Sequence, residues 1–374
     1  MAKGLAGGFF HVACGRPPDI QVAFKEDFKE ESMTSTEHLV PLRAGDGMAL
    51  NLVHVCGPTP AWRGPVLLVH GAGVRANIFR PPVARSFVDA LIEQGWDVWL
   101  ENWRASLDLP TNAWTLEQAA LYDHPAAVQT VLAQTGASSL KAVIHCQGST
   151  SFMMSALAGL VPQVSTIVSN AVALHPLVKP TAQLKLRLAV PLVAAFTPHL
   201  DPRWGDHAEG WVPKLLQGLV KLTHHECDNA VCRFASFTYG TGFPVLWRHE
   251  NLDDATHDWI RQEFGPVPMS FFSHMGRCLS AGHLVAAQSP PLPGLPADYT
   301  TEPLRTQARF AFVTGRRNDC FTWQGQQASF DWFERQRPGF HSLHVFEDYG
   351  HLDVFIGKNA QHDTYPVLLA ALER

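Results

Sequence analysis

Charge is scarce in this sequence. Asp, Glu, Lys and Arg make up 17% of its 374 residues, and the formal net charge of −5 comes without a basic run. Binding nucleic acid or an anionic membrane surface takes a concentrated positive footprint, so neither is expected as a partner. Long hydrophobic runs are also missing. Crossing a bilayer takes roughly 20 consecutive apolar residues, whereas the most apolar stretch, 186–197, is shorter and carries Arg187. The first residues lack the apolar centre of a secretory leader, and Arg16-Pro17-Pro18 interrupts them. Cysteine is limited to Cys14, Cys56, Cys146, Cys227, Cys232, Cys278 and Cys320. An odd, dispersed set in a chain of this size reads as reduced thiols, with a cytoplasmic setting expected. Repeats and low-complexity tracts are absent.

What is present is an ample core, with 46% apolar residues, enough for one large domain carrying an insertion or for two modest domains. His38–Arg43, the turn Ala44-Gly45-Asp46-Gly47 and Met48–Val55 read as a hairpin. Pro65–Val69 is wholly apolar, as central parallel strands covered on both faces are. A helix (Pro82–Gln94), a strand (Asp97–Trp103) and a second helical region reaching Gly136 follow. In that region Thr115 and Gln118 have capping-box spacing and Pro125 marks a restart. Leu140–His145 reads as a strand, Gln147–Leu160 as a helix and Val164–Asn170 as a strand. The alternation resumes only with Ala308–Thr314, a helix near Gln324–Gln336, the strand Ser342–Phe346 and a terminal helix.

This order predicts an α/β fold with a doubly wound, mostly parallel sheet. The expected organisation is an N-terminal arm over 1–36, core over 37–174, a large and mainly helical cap over 175–306, and core again over 307–374. A long insertion at the strand ends of such a sheet lies over the active-site crevice.

The chemistry concentrates where Leu140–Ile144 runs into His145-Cys146-Gln147-Gly148-Ser149. A nucleophile on a sharp strand-to-helix turn is pushed into the crevice, beside a helix N-terminus and next to a backbone N–H that can bind an oxyanion. Cys146 holds that position. Gly148 allows the helix to pack closely on the strand, while Ile144 departs from the small residue usual two positions before the nucleophile. In a nucleophile–acid–histidine order, the loop after the 308–314 strand offers Asp319, with Asn318 as its rival, and the loop after the last strand offers His351 as general base. The loop His70-Gly71-Ala72-Gly73 can turn an N–H inward. Ala72 and Gln147 are therefore the expected oxyanion donors. A cysteine beside a histidine and a helix N-terminus is expected to ionise easily. Ser149, one turn into the helix, should point away.

On these residues the chain resembles the α/β-hydrolases. His145-Cys146-Gln147-Gly148-Ser149 is similar to the His-Ser-Gln-Gly stretch of acid lipases, with cysteine in place of serine. Gly95–Arg104, Asp123-His124-Pro125-Ala126-Ala127 and Gly350-His351-Leu352-Asp353 match that family too. Trp103-Arg104 and the cysteine also resemble polyhydroxyalkanoate synthases, whose acyl transfer uses a Cys-His-Asp triad. From about residue 37 the chain looks like the hydrolase-like domains found with cholesterol-oxidase-type flavoproteins. The resemblance implies acyl chemistry through a thioester on Cys146. The expected activity is hydrolysis of a hydrophobic ester, lactone or thioester. Alternatives are acyl transfer to an alcohol, amine or thiol, and a non-catalytic binding module partnering an oxidoreductase. No cofactor and no metal are expected: His224-His225-Glu226-Cys227 with Cys232 matches no zinc spacing.

Overall fold

The computed structural model describes residues 35–301 and 303–374, so the arm expected over 1–36 lies almost wholly outside the described residues. The hairpin is β1 (Thr36–Arg43) and β2 (Ala49–Cys56). β3 (Pro65–Val69), β4 (Asp97–Asn102), β5 (Leu140–His145) and β6 (Val164–Asn170) follow. Two short strands, β7 (His199–Leu200) and β8 (Val267–Pro268), pair outside the main sheet, in a region where no regular strand was expected. β9 (Arg309–Gly315) and β10 (Ser342–Phe346) complete the set.

The main sheet runs β1-β2-β4-β3-β5-β6-β9-β10. β2 is antiparallel to both neighbours, and every other pairing after β1–β2 and β2–β4 is parallel. β3 and β5 are adjacent although β4 comes between them in sequence. Their carboxyl ends therefore border the switch point at which open α/β sheets bind ligands. Val66 to Val69 are fully buried, as their uninterrupted apolar run requires.

Local chemistry sets the helix boundaries. The helix expected from Pro82 starts at Phe87, because Ser86 and Asp89 form a reciprocal capping box just ahead of it. Thr115 and Gln118 form the other box. A π-turn over Ala119–Asp123 then precedes the helix His124–Thr135, where Pro125 occupies the first turn and needs no N–H partner. Between β6 and β9 the chain is mainly helical, with helices at Pro180–Ala194, Trp211–Thr223, Ala230–Tyr239, Asp254–Trp259 and Met269–Ala281. Among the described residues no helix is long and apolar enough to cross a membrane. Cys56 is disulfide-bonded, which corrects the reading of all seven cysteines as reduced thiols.

Candidate active site

The helix Cys146–Leu157 begins directly at the end of β5, and Cys146 takes φ 54°. A side chain other than glycine in the left-handed region is strained. Here the strain comes from turning the chain between strand and helix with no connecting residue. Gly148 makes the turn possible: a Cβ there would lie 2.1 Å from the His70 carbonyl oxygen. Gly315 does the same at the end of β9, where a Cβ would lie 2.1 Å from the Tyr349 carbonyl oxygen. These two close approaches draw the loops after β3, β9 and β10 around Cys146. Ile144 is fully buried within the sheet between Val69 and Ser169. Ser149 points away, its hydroxyl 2.5 Å from that of Ser169.

The backbone N–H groups of Gln147 and Ala72, the two positions expected to form an oxyanion hole, lie close enough to the Cys146 sulfur to favour its thiolate. Tyr239 from the cap donates its hydroxyl to the Ala72 carbonyl at 2.9 Å and steadies that loop. Sequence offered no signal for Tyr239, because its contact spans 167 residues.

His351 is buried, and donor atoms of His145, Cys146 and His351 lie within 4.8 Å of one another. That spacing would also suit an ion, but the two N–H groups beside the sulfur mark a position that stabilises negative charge. The sequence motif gives His145 no role of its own; its contiguity with Cys146 is the signal that places it in the site. Asn170, at the end of β6, donates its amide to His145 Nδ1 at 2.9 Å, so the His145 proton sits on Nε2.

Asp319 does not complete a triad. Its carboxylate pairs with Lys179 at 2.7 Å and Arg248 at 3.8 Å, and neither ring nitrogen of His351 has a hydrogen-bond partner. A half-exposed acid beside two cap cations joins core to cap instead of reaching the imidazole. Asn318 is not the substitute: its Oδ1 accepts from the N–H groups of Cys320 and Phe321, each at 3.0 Å, and shapes the turn. The loop carrying His351 is held by buried Asp353, which accepts from Gly350 N–H, Arg248 N–H and the Asn251 amide at 2.8, 3.1 and 2.7 Å.

Burial sets the protonation states. It pushes the Cys146 thiol up to about 12, and the two N–H donors only partly oppose it. It lowers His351 and His70 each to about 3, and it holds His145 well below the usual imidazole range. Easy ionisation of Cys146 is therefore overturned: in the enclosed site desolvation outweighs the helix N-terminus, and the resting pair is neutral thiol and neutral imidazole.

An apolar pocket opens on Cys146, lined among others by Leu186, Phe271, Phe272 and Met275 from the cap. Its lining includes the polar residues Gln147, Lys185, Thr238 and Tyr239. The Gln147 side-chain amide is buried with no partner. Lys185 is lowered by burial to about 8 and donates to the Gly240 carbonyl at 3.0 Å.

Known proteins share this fold. A lipase in its open form superposes with a TM-score of 0.59 at 12% identity, covering 91% of this chain and 99% of the lipase. The chain has the α/β-hydrolase fold. A monoacylglycerol lipase of Paleococcus ferrophilus, an α/β-hydrolase-fold neighbour at 12% identity, gives a TM-score of 0.54 and covers 87% of this chain and 99% of its own. In sequence, sterol esterase 2 of Saccharomyces cerevisiae is 27% identical over 230 residues, which are 56% of this chain. That match spans 42% of the yeast protein, less than half its length. No protein-family profile matches the chain.

Proposed function

We propose that this α/β-hydrolase-fold protein hydrolyses hydrophobic esters with Cys146 as nucleophile and His351 as general base. The observation that carries the reading is the strained Cys146 at φ 54°, with the backbone N–H groups of Ala72 and Gln147 close enough to favour negative charge on its sulfur. A neutral imidazole within 4.8 Å supplies the base.

In the first half-reaction the Cys146 sulfur attacks the ester carbonyl carbon while its proton passes to His351. The oxyanion rests on the N–H groups of Ala72 and Gln147. The bond to the alcohol oxygen breaks, the alcohol leaves with the His351 proton, and a thioester remains. Water, losing a proton to His351, attacks that thioester; the acid departs and the thiol is restored. Because thiol and imidazole are both neutral at rest, proton transfer accompanies attack, and bound substrate is what triggers it.

The apolar pocket lining favours a hydrophobic acyl or sterol-like group. The cap surface supports the same substrate class. Leu184, Leu188 and Leu192 on one helix and Trp211, Leu215 and Leu219 on another are exposed at helical spacing, and the rings of Phe196 and Trp211 meet at 5.5 Å. An apolar surface of this extent marks contact with another apolar phase, as an enzyme working on aggregated lipid needs. The similarity to a sterol esterase makes long-chain sterol esters the first substrates to try.

The test is intact-protein mass spectrometry during turnover of a p-nitrophenyl ester and of a cholesteryl ester. The wild type should carry one acyl adduct on the Cys146 peptide, and Cys146→Ala should lose turnover by about a thousandfold or more. Full turnover in Cys146→Ala removes the nucleophile assignment. Neither adduct nor turnover in the wild type would favour the non-catalytic binding module. Added alcohols or amines that capture the acyl group would make the enzyme a transferase.

A further inference from the structure

The cap gathers a second cluster, remote in sequence from the nucleophile turn. Cys227 lies in the loop after the helix Trp211–Thr223, and Cys232 in the first turn of Ala230–Tyr239. His249 opens a short 3-10 turn and His257 belongs to the helix Asp254–Trp259. One donor atom from each of the four lies within 4.8 Å of the other three. We propose that Cys227, Cys232, His249 and His257 form a tetrahedral zinc site that braces the cap.

The geometry fits that ion. With zinc–sulfur bonds of about 2.3 Å and zinc–nitrogen bonds of about 2.0–2.1 Å, the sulfur–nitrogen edge of a tetrahedron is about 3.6 Å. The Cys232 sulfur lies 3.4 Å from His249 Nε2. The two imidazoles stand edge to face, centroids 4.9 Å apart at 83°. His257 Nε2 is buried without a hydrogen-bond partner, a polar atom that a metal ion would satisfy. Both carboxylate oxygens of the neighbouring Glu226 are likewise buried and unpartnered, adding negative potential where a divalent cation would sit.

The supporting shell is already in place. Asn229 accepts from Cys232 N–H at 3.0 Å through Oδ1 and donates to the His257 carbonyl at 2.6 Å through Nδ2. One side chain thereby fixes two ligands relative to each other, as outer-shell groups do in metal sites. Two thiolates and two imidazoles are a set that selects zinc and leaves no position open for substrate, so the role is structural.

The site would also tie these segments to the core. The turn bearing His249 also carries Asn251, whose amide reaches Asp353 at 2.7 Å. Lys358 N–H donates to the Asn251 carbonyl at 2.8 Å, and Leu352 N–H to the Leu246 carbonyl at 2.7 Å. An ion here would pin the cap segment 246–251 against the loop that presents His351.

The experiment uses the full chain, purified with a thiol reductant and without added metal, and measures bound metal by plasma mass spectrometry. About one zinc per chain is expected in the wild type, and a fivefold or greater loss in Cys232→Ser and in His257→Gln. Cys146→Ala should keep its zinc, which separates this site from the catalytic cysteine. Cobalt added to the apoprotein should give the intense visible bands and the sulfur charge-transfer band of a tetrahedral Cys2His2 centre. This readout serves even if a variant fails to fold. The proposal is overturned if the reduced wild type binds neither zinc nor cobalt stoichiometrically, if zinc persists in both ligand variants or leaves with Cys146, or if peptide mapping finds a Cys227–Cys232 disulfide.

Discussion

Cys146 and Cys232 are both buried cysteines with two imidazoles close by, yet their surroundings are built in opposite ways. Around Cys146 the partners come from the ends of adjacent parallel strands and the loop after the last strand. The sheet register, with Val69 opposite Ile144 and Ile144 opposite Ser169, sets their positions. Around Cys232 the partners come from three other short cap segments that share no sheet. A strand end is held by hydrogen bonds along its whole length, so a site placed there needs only one strained turn and close packing. A site in a cap of short helices needs a cross-link of its own.

The largest effect expected from breaking the strand-end design is Gly148→Ala. With the new Cβ driven into the His70 carbonyl, the helix must lift off β3, at a cost of about 2–4 kcal/mol in chemical denaturation. A loss below about 1 kcal/mol would mean that the close approach is not what seats Cys146.

Acid should sharpen the contrast next. His70 and His351 fold with values near 3 against 6.5 when unfolded, so the unfolded chain takes up their protons first and stability falls as pH drops below about 6.5. From pH 7 to 5 the two together cost about 4 kcal/mol. Asp353 works the other way. Burial raises it to about 6, so it favours the folded state as pH falls through that window, by about 1 kcal/mol. These three groups together contribute a loss of about 2–3 kcal/mol. His145, His175, His224 and His341, also lowered by burial, add to it, and buried Glu101 and Asp123, raised by burial, oppose it. The loss would be read as a fall in denaturation midpoint between those two pH values. Stability that instead rises toward pH 5 would show that the buried imidazoles are not held neutral.

The smallest effect tests the boundary between the regions. Asp319→Ala removes a carboxylate that pairs with Lys179 and Arg248, so kcat should fall less than about threefold, the worth of partly exposed ion pairs. A hundredfold fall with an altered pH profile would restore Asp319 as the residue that orients His351.

These particulars show where sequence reading succeeds. The alternation of apolar runs and amphipathic segments was enough for the α/β-hydrolase fold, because strand and helix periods are local. The strand-to-helix turn at Cys146 and the nearness of the late His351 to it followed from chain order. Asp319 failed because its partners, Lys179 and Arg248, belong to the cap, whose placement no local pattern states. Easy ionisation of Cys146 failed because desolvation depends on what covers the thiol. The zinc ligands went unread for the same reason: Cys227 and Cys232 were seen, but His249 and His257 join them only when the cap folds.

The sequence by itself determined the chain order of the main sheet's strands and the place of the strand-to-helix turn at Cys146, since both rest on hydrophobic period and on residues adjacent along the chain. Only the tertiary structure decided which acid meets which base, how far burial shifts Cys146 and His351, and which four side chains converge in the cap. Those are contacts across long sequence separations, and their energies are set by the surrounding dielectric and geometry, which no local stretch of sequence encodes.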